Sequence, residues 1–88
     1  MRIEIGVLFC IVILMKEKFH EKYKRVGLNV AYYRKLSGLT QEQLAERLGV
    51  DRTTVSKVEL AFVGVSLDLL FEMAEIFNIT PDKLLEMR

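Results

Sequence analysis

Residues 40–59, TQEQLAERLGVDRTTVSKVE, have the pattern of two short helices joined by a glycine. At the start of the first, Thr40 is followed three residues later by Gln43, which is the spacing of a capping box. Gly49 interrupts the helical spacing and predicts a tight turn. The inward positions of the first helix are Leu44, Ala45 and Leu48. The stretch therefore predicts a helix, a turn and a second helix.

The second helix is apolar on one side and polar on the other. Asp51 caps its start, and Val55 and Val58 form its buried pair. At about 100° per residue, polar side chains fan over the opposite side, with Thr54 at the flank. This polar face comprises Arg52, Thr53, Ser56 and Lys57.

The polar face has the chemistry needed to contact DNA. Arg and Lys match the O6 and N7 acceptors of guanine, and Thr and Ser hydroxyls can bond bases or phosphates. Gln41, at the start of the preceding helix, is placed to add a phosphate contact assisted by the helix N-terminus. A helix lying in the major groove while its predecessor crosses the backbone has this geometry. A solvated surface helix would carry the same face, so the pattern alone leaves both interpretations open.

The rest of the chain predicts three further helices. Apolar residues recur at spacings of four and three along residues 16–36, and Gly38 ends that helix. Ser66 starts a fourth helix, and Pro81 at the first position of a fifth costs no hydrogen bond. Residues 16–88 are thus predicted to form an all-α domain of five helices. Inward positions on the first, fourth and fifth helices are Phe19, Tyr23, Val26, Val30, Tyr33, Leu67, Leu70, Met73, Ala74, Phe77, Leu84 and Leu85.

Together these segments resemble the lambda-repressor-like helix-turn-helix proteins, also called Cro-like or XRE-type. LTQEQLAERLGVDRTTVSKVE is similar to the core motif of the family, and YYRKLSGLTQ and VSLDLLFEMAEIFNITPDKLLE are similar to the flanking helices. The resemblance covers residues 25–86, and it is specific because spacing, helix order and capping residues all agree. It implies a prokaryotic or phage DNA-binding protein with its helix-turn-helix at residues 40–60.

The resemblance also implies roles for individual positions. The polar face would contact bases, while Thr54 and Gln41 would contact the DNA backbone. Members often pair an arginine late in the first helix with the glutamate that ends the third, which here implies a structural ion pair between Arg34 and Glu59. One such module spans too few base pairs to be selective, so the expected form is a homodimer on an inverted-repeat operator.

One segment departs from the family pattern. After the glutamate, members commonly carry a polar loop that touches phosphates, whereas residues 60–66 here are LAFVGVS. These apolar side chains offer phosphate no hydrogen bond, although backbone N–H groups still can. We expect Phe62 and Val63 to cover the core or to form an interface, rather than to act as a wedge in a DNA groove.

Residues 1–15 form an apolar N-terminal extension. Residues 5–15, IGVLFCIVILM, would span only about 16 Å as a helix, roughly half of a bilayer core. Their β-branched content favours a strand that pairs with the same strand of another subunit. A mobile tail, a start site at Met15 that would make the run an artefact, and a membrane anchor are the alternatives. The candidate interface residues are Ile5, Val7, Phe9, Ile11 and Ile13.

Composition and charge narrow the class of protein. A chain of 88 residues forms at most one small domain, and 51% hydrophobic residues suggests an additional buried surface. The net charge is +1, but residues 1–35 carry eight Lys/Arg against three Glu, whereas residues 36–88 carry five against nine. A polyanion would therefore meet local basic patches. With Cys10 as the single cysteine there is no intramolecular disulfide, which fits a reducing cytoplasm.

No set of residues predicts catalysis. His20 stands alone on an amphipathic helix and is expected to be solvated, and neither a metal-ligand spacing nor a glycine-rich phosphate loop occurs. The sequence thus predicts a protein that is no enzyme and needs no cofactor or metal.

Two functional hypotheses follow. The first is a transcriptional regulator, most simply a repressor, that binds double-stranded DNA sequence-specifically. The second is a protein-binding module, such as an antitoxin that masks a toxin through the apolar loop and the N-terminal run. A double substitution to alanine at Arg52 and Lys57 separates them, because only the first requires those side chains.

Overall fold

The chain, described here by a computed structural model over residues 18–87, contains four α-helices and one short 3₁₀ helix in that part. The all-α prediction is confirmed, and residues 18–87 contain no strand. The fifth predicted helix is a 3₁₀ helix of five residues that begins at a proline, and short terminal helices commonly take this tighter form. The elements are α1 (His20–Leu36), α2 (Gln41–Leu48), α3 (Arg52–Glu59), α4 (Leu67–Phe77) and the 3₁₀ helix (Pro81–Leu85).

The predictions for the extension at residues 1–15, including its strand and its five interface residues, lie outside the described residues. Within residues 18–87, no helix combines the length and the apolar character required to cross a bilayer.

Local signals fix the boundaries of α2. The Gln43 N–H donates to Thr40 Oγ1 at 3.0 Å, and the Thr40 N–H donates to Gln43 Oε1 at 2.9 Å, so the capping box is present. At the other end, Gly49 adopts φ 71°, and the Val50 N–H donates to the Ala45 carbonyl at 3.0 Å. Glycine takes this left-handed conformation without the steric cost that a Cβ would bring. Local residues, above all Gly49, therefore determine the turn between α2 and α3.

The start of α3 differs from the prediction in one detail. Asp51 occupies the N-cap position, but its side chain makes no capping hydrogen bond. Its backbone carbonyl accepts from the Thr54 N–H at 3.0 Å instead. The first turn of α3 is therefore held by backbone hydrogen bonds, without a side-chain cap.

The core lies where all five elements meet. α2 and α3 pack against each other, α1 lies behind α3, and the 3₁₀ helix closes the space between α1 and α4. Asn29 anchors that closure, because its Nδ2 donates to the carbonyls of Leu84 at 3.0 Å and Glu86 at 2.9 Å. The largest fully buried side chains are Val30, Leu44, Met73 and Leu84.

Two residues expected to face inward do not. Leu67 is 64% exposed and Leu85 is 46% exposed. Leu67 is the first residue of α4, at the margin of its buried stripe. Leu85 follows the buried Leu84 in a helix with three residues per turn, which turns adjacent side chains about 120° apart. Both errors come from helix ends, where the assumed period holds least well.

Candidate nucleic-acid interface

The outer side of α3 presents the polar face predicted from the sequence. Val55 and Val58 are each only 3% exposed and hold the helix against the core. On the opposite side, Arg52, Thr53 and Lys57 are exposed, while Ser56 and Thr54 are half-buried. All five polar side chains lie on one short helix, so they can approach a single ligand surface together. We refer below to Arg52, Thr53, Ser56 and Lys57 as the outer face of α3.

The inner side of α3 is held by an ion pair with α1. Arg34 Nε lies 2.7 Å from Glu59 Oε2, and Arg34 Nη2 donates to Glu59 Oε1 at 3.2 Å. The two side chains are only 10% and 7% exposed. Arg34 Nη1 also donates to the Leu39 carbonyl at 2.9 Å, which ties in the segment that precedes α2. This fork geometry belongs to the stronger class of charge-assisted hydrogen bonds.

Gln41 joins the same network. Its Nε2 donates to Glu59 Oε1 at 3.0 Å, so one carboxylate accepts hydrogen bonds from both α1 and α2. A primary amide has two N–H donors and a carbonyl acceptor, which gives Gln41 capacity for a second contact at the N-terminus of α2. Sequence reasoning placed Gln41 at the DNA backbone and did not anticipate its bond to Glu59. Nothing local to residue 41 signals a partner 18 residues away.

A close backbone contact between α1 and α3 was also missed. A Cβ added to Gly27 would lie 2.5 Å from the carbonyl oxygen of Glu59 and 2.7 Å from that of Val58. Only glycine fits there, because both neighbours are backbone atoms at the end of α3. The one sequence signal was an isolated glycine inside an otherwise helical pattern, which often marks close packing.

The loop after α3 is apolar and exposed. Leu60 is 57% exposed, Phe62 is 58% exposed and Val63 is 36% exposed, whereas Ala61 between them is buried at 2%. Phe62 and Val63 were expected to cover the core or to form an interface; their exposure leaves the interface, which stays a prediction. No group of three or more His, Cys, Asp and Glu side chains in residues 18–87 could hold a metal ion.

Two short helices joined by a left-handed glycine, with the second exposing Arg, Lys and hydroxyl side chains, define a helix-turn-helix DNA-binding domain. Residues 30–84 match the helix-turn-helix family. The chain therefore belongs to the helix-turn-helix family of DNA-binding transcriptional regulators.

Relatives of known sequence agree with this assignment. The chain is 46% identical over 48 residues to an uncharacterised helix-turn-helix transcriptional regulator of Methanocaldococcus jannaschii, covering 54% of this chain and 73% of that protein. It is 42% identical over 57 residues to the control protein C.SmaI of Serratia marcescens, covering 65% of this chain and 68% of that one.

Solved structures share the fold. The restriction-modification controller protein C.AhdI from Aeromonas hydrophila superposes with a TM-score of 0.71 at 32% identity, covering 75% of this chain and 96% of that one. A hypothetical transcription factor, NHTF, from Neisseria gives a TM-score of 0.70 at 31% identity, covering 74% of this chain and 75% of that one.

Proposed function

We propose that this regulator binds an inverted-repeat operator as a homodimer and represses transcription by placing α3 in the major groove. The outer face of α3 carries the proposal, because Arg52, Thr53 and Lys57 are exposed on a helix whose other side is fixed to the core. Arg and Lys there would donate to guanine O6 and N7, and Thr and Ser hydroxyls would bond bases or phosphates. Two copies would occupy half-sites about one helical turn apart, which supplies the selectivity that a single module lacks.

The backbone contacts would come from α2 and the flank of α3. Gln41 lies at the first position of α2, where a phosphate is favoured by the helix N-terminus. Its bond to Glu59 fixes the direction of its amide, so a phosphate would meet a donor already in place. Thr54, half-buried at the edge of the outer face, would supply a second backbone contact.

The similarity to C.SmaI and C.AhdI, both named as control proteins, favours a regulator of restriction-modification genes within this class. The protein would act in the cytoplasm and by binding alone, without catalysis or a cofactor.

The test is fluorescence-anisotropy binding to the DNA upstream of the regulator's own gene, with random duplex as competitor and a salt series. We expect the operator to be favoured over random duplex by about a thousandfold or more. The double variant Arg52→Ala with Lys57→Ala should lose that preference while keeping its thermal melting curve, because neither side chain supports the core. Each of the two contacts is worth about 1–3 kcal/mol of base discrimination.

The matched control is Lys24→Ala with Lys83→Ala, which removes the same charge from exposed positions outside α2 and α3. It should leave the ratio of operator affinity to random-duplex affinity unchanged, because neither side chain belongs to the outer face of α3. Equal loss of discrimination in both double variants would contradict the proposed face.

The exposed apolar loop keeps the alternative of a protein-binding module open as a second proposal. Leu60 and Phe62 expose more than half of their surface, and partner proteins commonly cover such residues. In that case the Arg52/Lys57 double variant would still capture its protein partner at full strength.

A further inference from the structure

The loop after α3 contains a turn that directs apolar side chains outward. Ala61 adopts φ 61° and is buried at 2%. The Phe62 N–H donates to the Lys57 carbonyl at 2.9 Å, and the Ala61 N–H donates to the Val58 carbonyl at 3.2 Å. These two bonds form a Schellman motif with alanine in the left-handed position. Because Ala61 faces the core, its neighbours on both sides face solvent, and we call Leu60, Phe62 and Val63 the loop patch.

The loop patch lies near the start of α1. A Cβ added to Gly64 would be 3.5 Å from Tyr23 Cε1, so the residue that follows Val63 lies against the Tyr23 ring. The Tyr23 N–H donates to the Phe19 carbonyl at 3.0 Å, which places Tyr23 one helical turn beyond Phe19. Phe19 in turn follows Lys18, the first residue that the structure describes. The residue after the loop patch therefore contacts α1 about one turn from its start, and residues 1–17 join the domain at that end of α1.

The segment that precedes the described residues is apolar, like the loop patch. Residues 5–15 are eleven consecutive non-polar residues, and only Lys16 and Glu17 separate them from the described chain. Extended, eleven residues reach about 35 Å, so the run can contact surfaces well beyond its point of attachment. An apolar run of this length and an exposed apolar surface both gain free energy when water is removed from between them.

We propose that residues 5–15 pack on the loop patch of the same chain. The short connection favours the same chain over an unattached second copy, because tethering by a few residues gives an effective concentration in the millimolar range. A separate copy at micromolar concentration competes poorly with that. The contact can be measured without DNA, so its test stands whether or not the proposed operator is correct.

The single native cysteine makes the contact measurable in the full-length protein. Cys10 lies in the middle of residues 5–15, and Val63→Cys places a second thiol in the loop patch at an exposed position. A disulfide requires Cα atoms within about 7 Å, so cross-linking under mild oxidation reports contact. We expect an intramolecular disulfide between Cys10 and the introduced thiol, identified by peptide mass, to form at least about ten times faster than in the control.

The control is Glu21→Cys. Position 21 is exposed and is the second residue of α1, but it lies about 160° around the helix from Tyr23. If only the tether brought Cys10 near the domain, position 21, four residues beyond Glu17, would therefore cross-link at least as fast as position 63. Ile11→Asp added to Val63→Cys should reduce the rate to that of the control, because a charge within the run opposes its burial.

Two results would overturn the proposal. Equal cross-linking rates for Val63→Cys and Glu21→Cys would show that the run does not select the loop patch, as expected for a run that binds a membrane or another protein. A disulfide in the Val63→Cys variant that forms only between two chains would assign the run to the loop of a second copy.

Discussion

The two sides of α3 differ in what depends on them. The inner side is held by a buried ion pair and two buried valines, and Gly27 lets α1 approach the backbone carbonyls at the end of α3. The outer side exposes Arg52, Thr53 and Lys57 to solvent. Changes to the inner side should therefore alter stability first, whereas changes to the outer face should alter DNA binding alone. Substitutions on the two sides can test whether stability and DNA binding depend on different residues of α3.

The largest effect is expected at the inner ion pair. Arg34→Ala leaves the Glu59 carboxylate nearly buried with only Gln41 as a hydrogen-bond donor, which should lower the free energy of unfolding by about 3–5 kcal/mol. Urea unfolding with circular dichroism measures the loss. Replacing both partners, Arg34→Met with Glu59→Leu, should recover much of it, because the stranded charge is then absent. An unchanged urea unfolding curve for Arg34→Ala would show that the pair contributes nothing to stability.

A smaller loss is expected at the contact between α1 and α3. Gly27→Ala forces a methyl group against the Glu59 and Val58 carbonyls, and overpacking of this kind costs about 1–3 kcal/mol. The matched control is Gly64→Ala, where the added Cβ meets only the Tyr23 ring at an ordinary 3.5 Å. Thermal melts of the two variants should differ clearly. Equal stability would mean that α1 and α3 lie further apart than described.

The smallest effect is expected at Gln41, which belongs to both sides. Gln41→Ala removes one hydrogen bond to Glu59 while the Arg34 fork remains, so the stability loss should be about 1 kcal/mol. If Gln41 also contacts a phosphate, operator affinity should fall by more than this loss explains. Anisotropy titrations at a temperature where the variant is fully folded measure the loss of operator affinity apart from the loss of stability. Affinity that stays at the wild-type value would restrict Gln41 to the inner side.

Signals carried by nearby residues made much of the fold predictable. The Thr40–Gln43 capping box and the left-handed Gly49 are both contained within α2 and its turn. The division of α3 into two sides follows from helical periodicity over eight residues, and the buried Val55 and Val58 agree with it. Family resemblance was needed for Arg34 and Glu59, which are 25 residues apart in sequence.

What the sequence did not predict depends on contacts between distant segments. The Gly27 contact and the Gln41–Glu59 bond exist only once α1, α2 and α3 have packed together. The exposure of Phe62 and Val63 follows from the left-handed conformation of Ala61, which the residue type does not predict. Hydrophobicity alone left open whether these two residues cover the core or form an interface, and the turn exposes both of them.

The separation of the two sides of α3 bears on how such regulators diversify. The side chains that would choose the operator contribute little to the packing that holds the helix, so mutations at Arg52, Thr53 and Lys57 can accumulate without a loss of fold. A duplicated gene could thereby acquire a new target sequence in a few steps, each of which leaves a folded protein. The residues under the strictest constraint across such a lineage would then be Gly27, Arg34 and Glu59, none of which needs to touch a base.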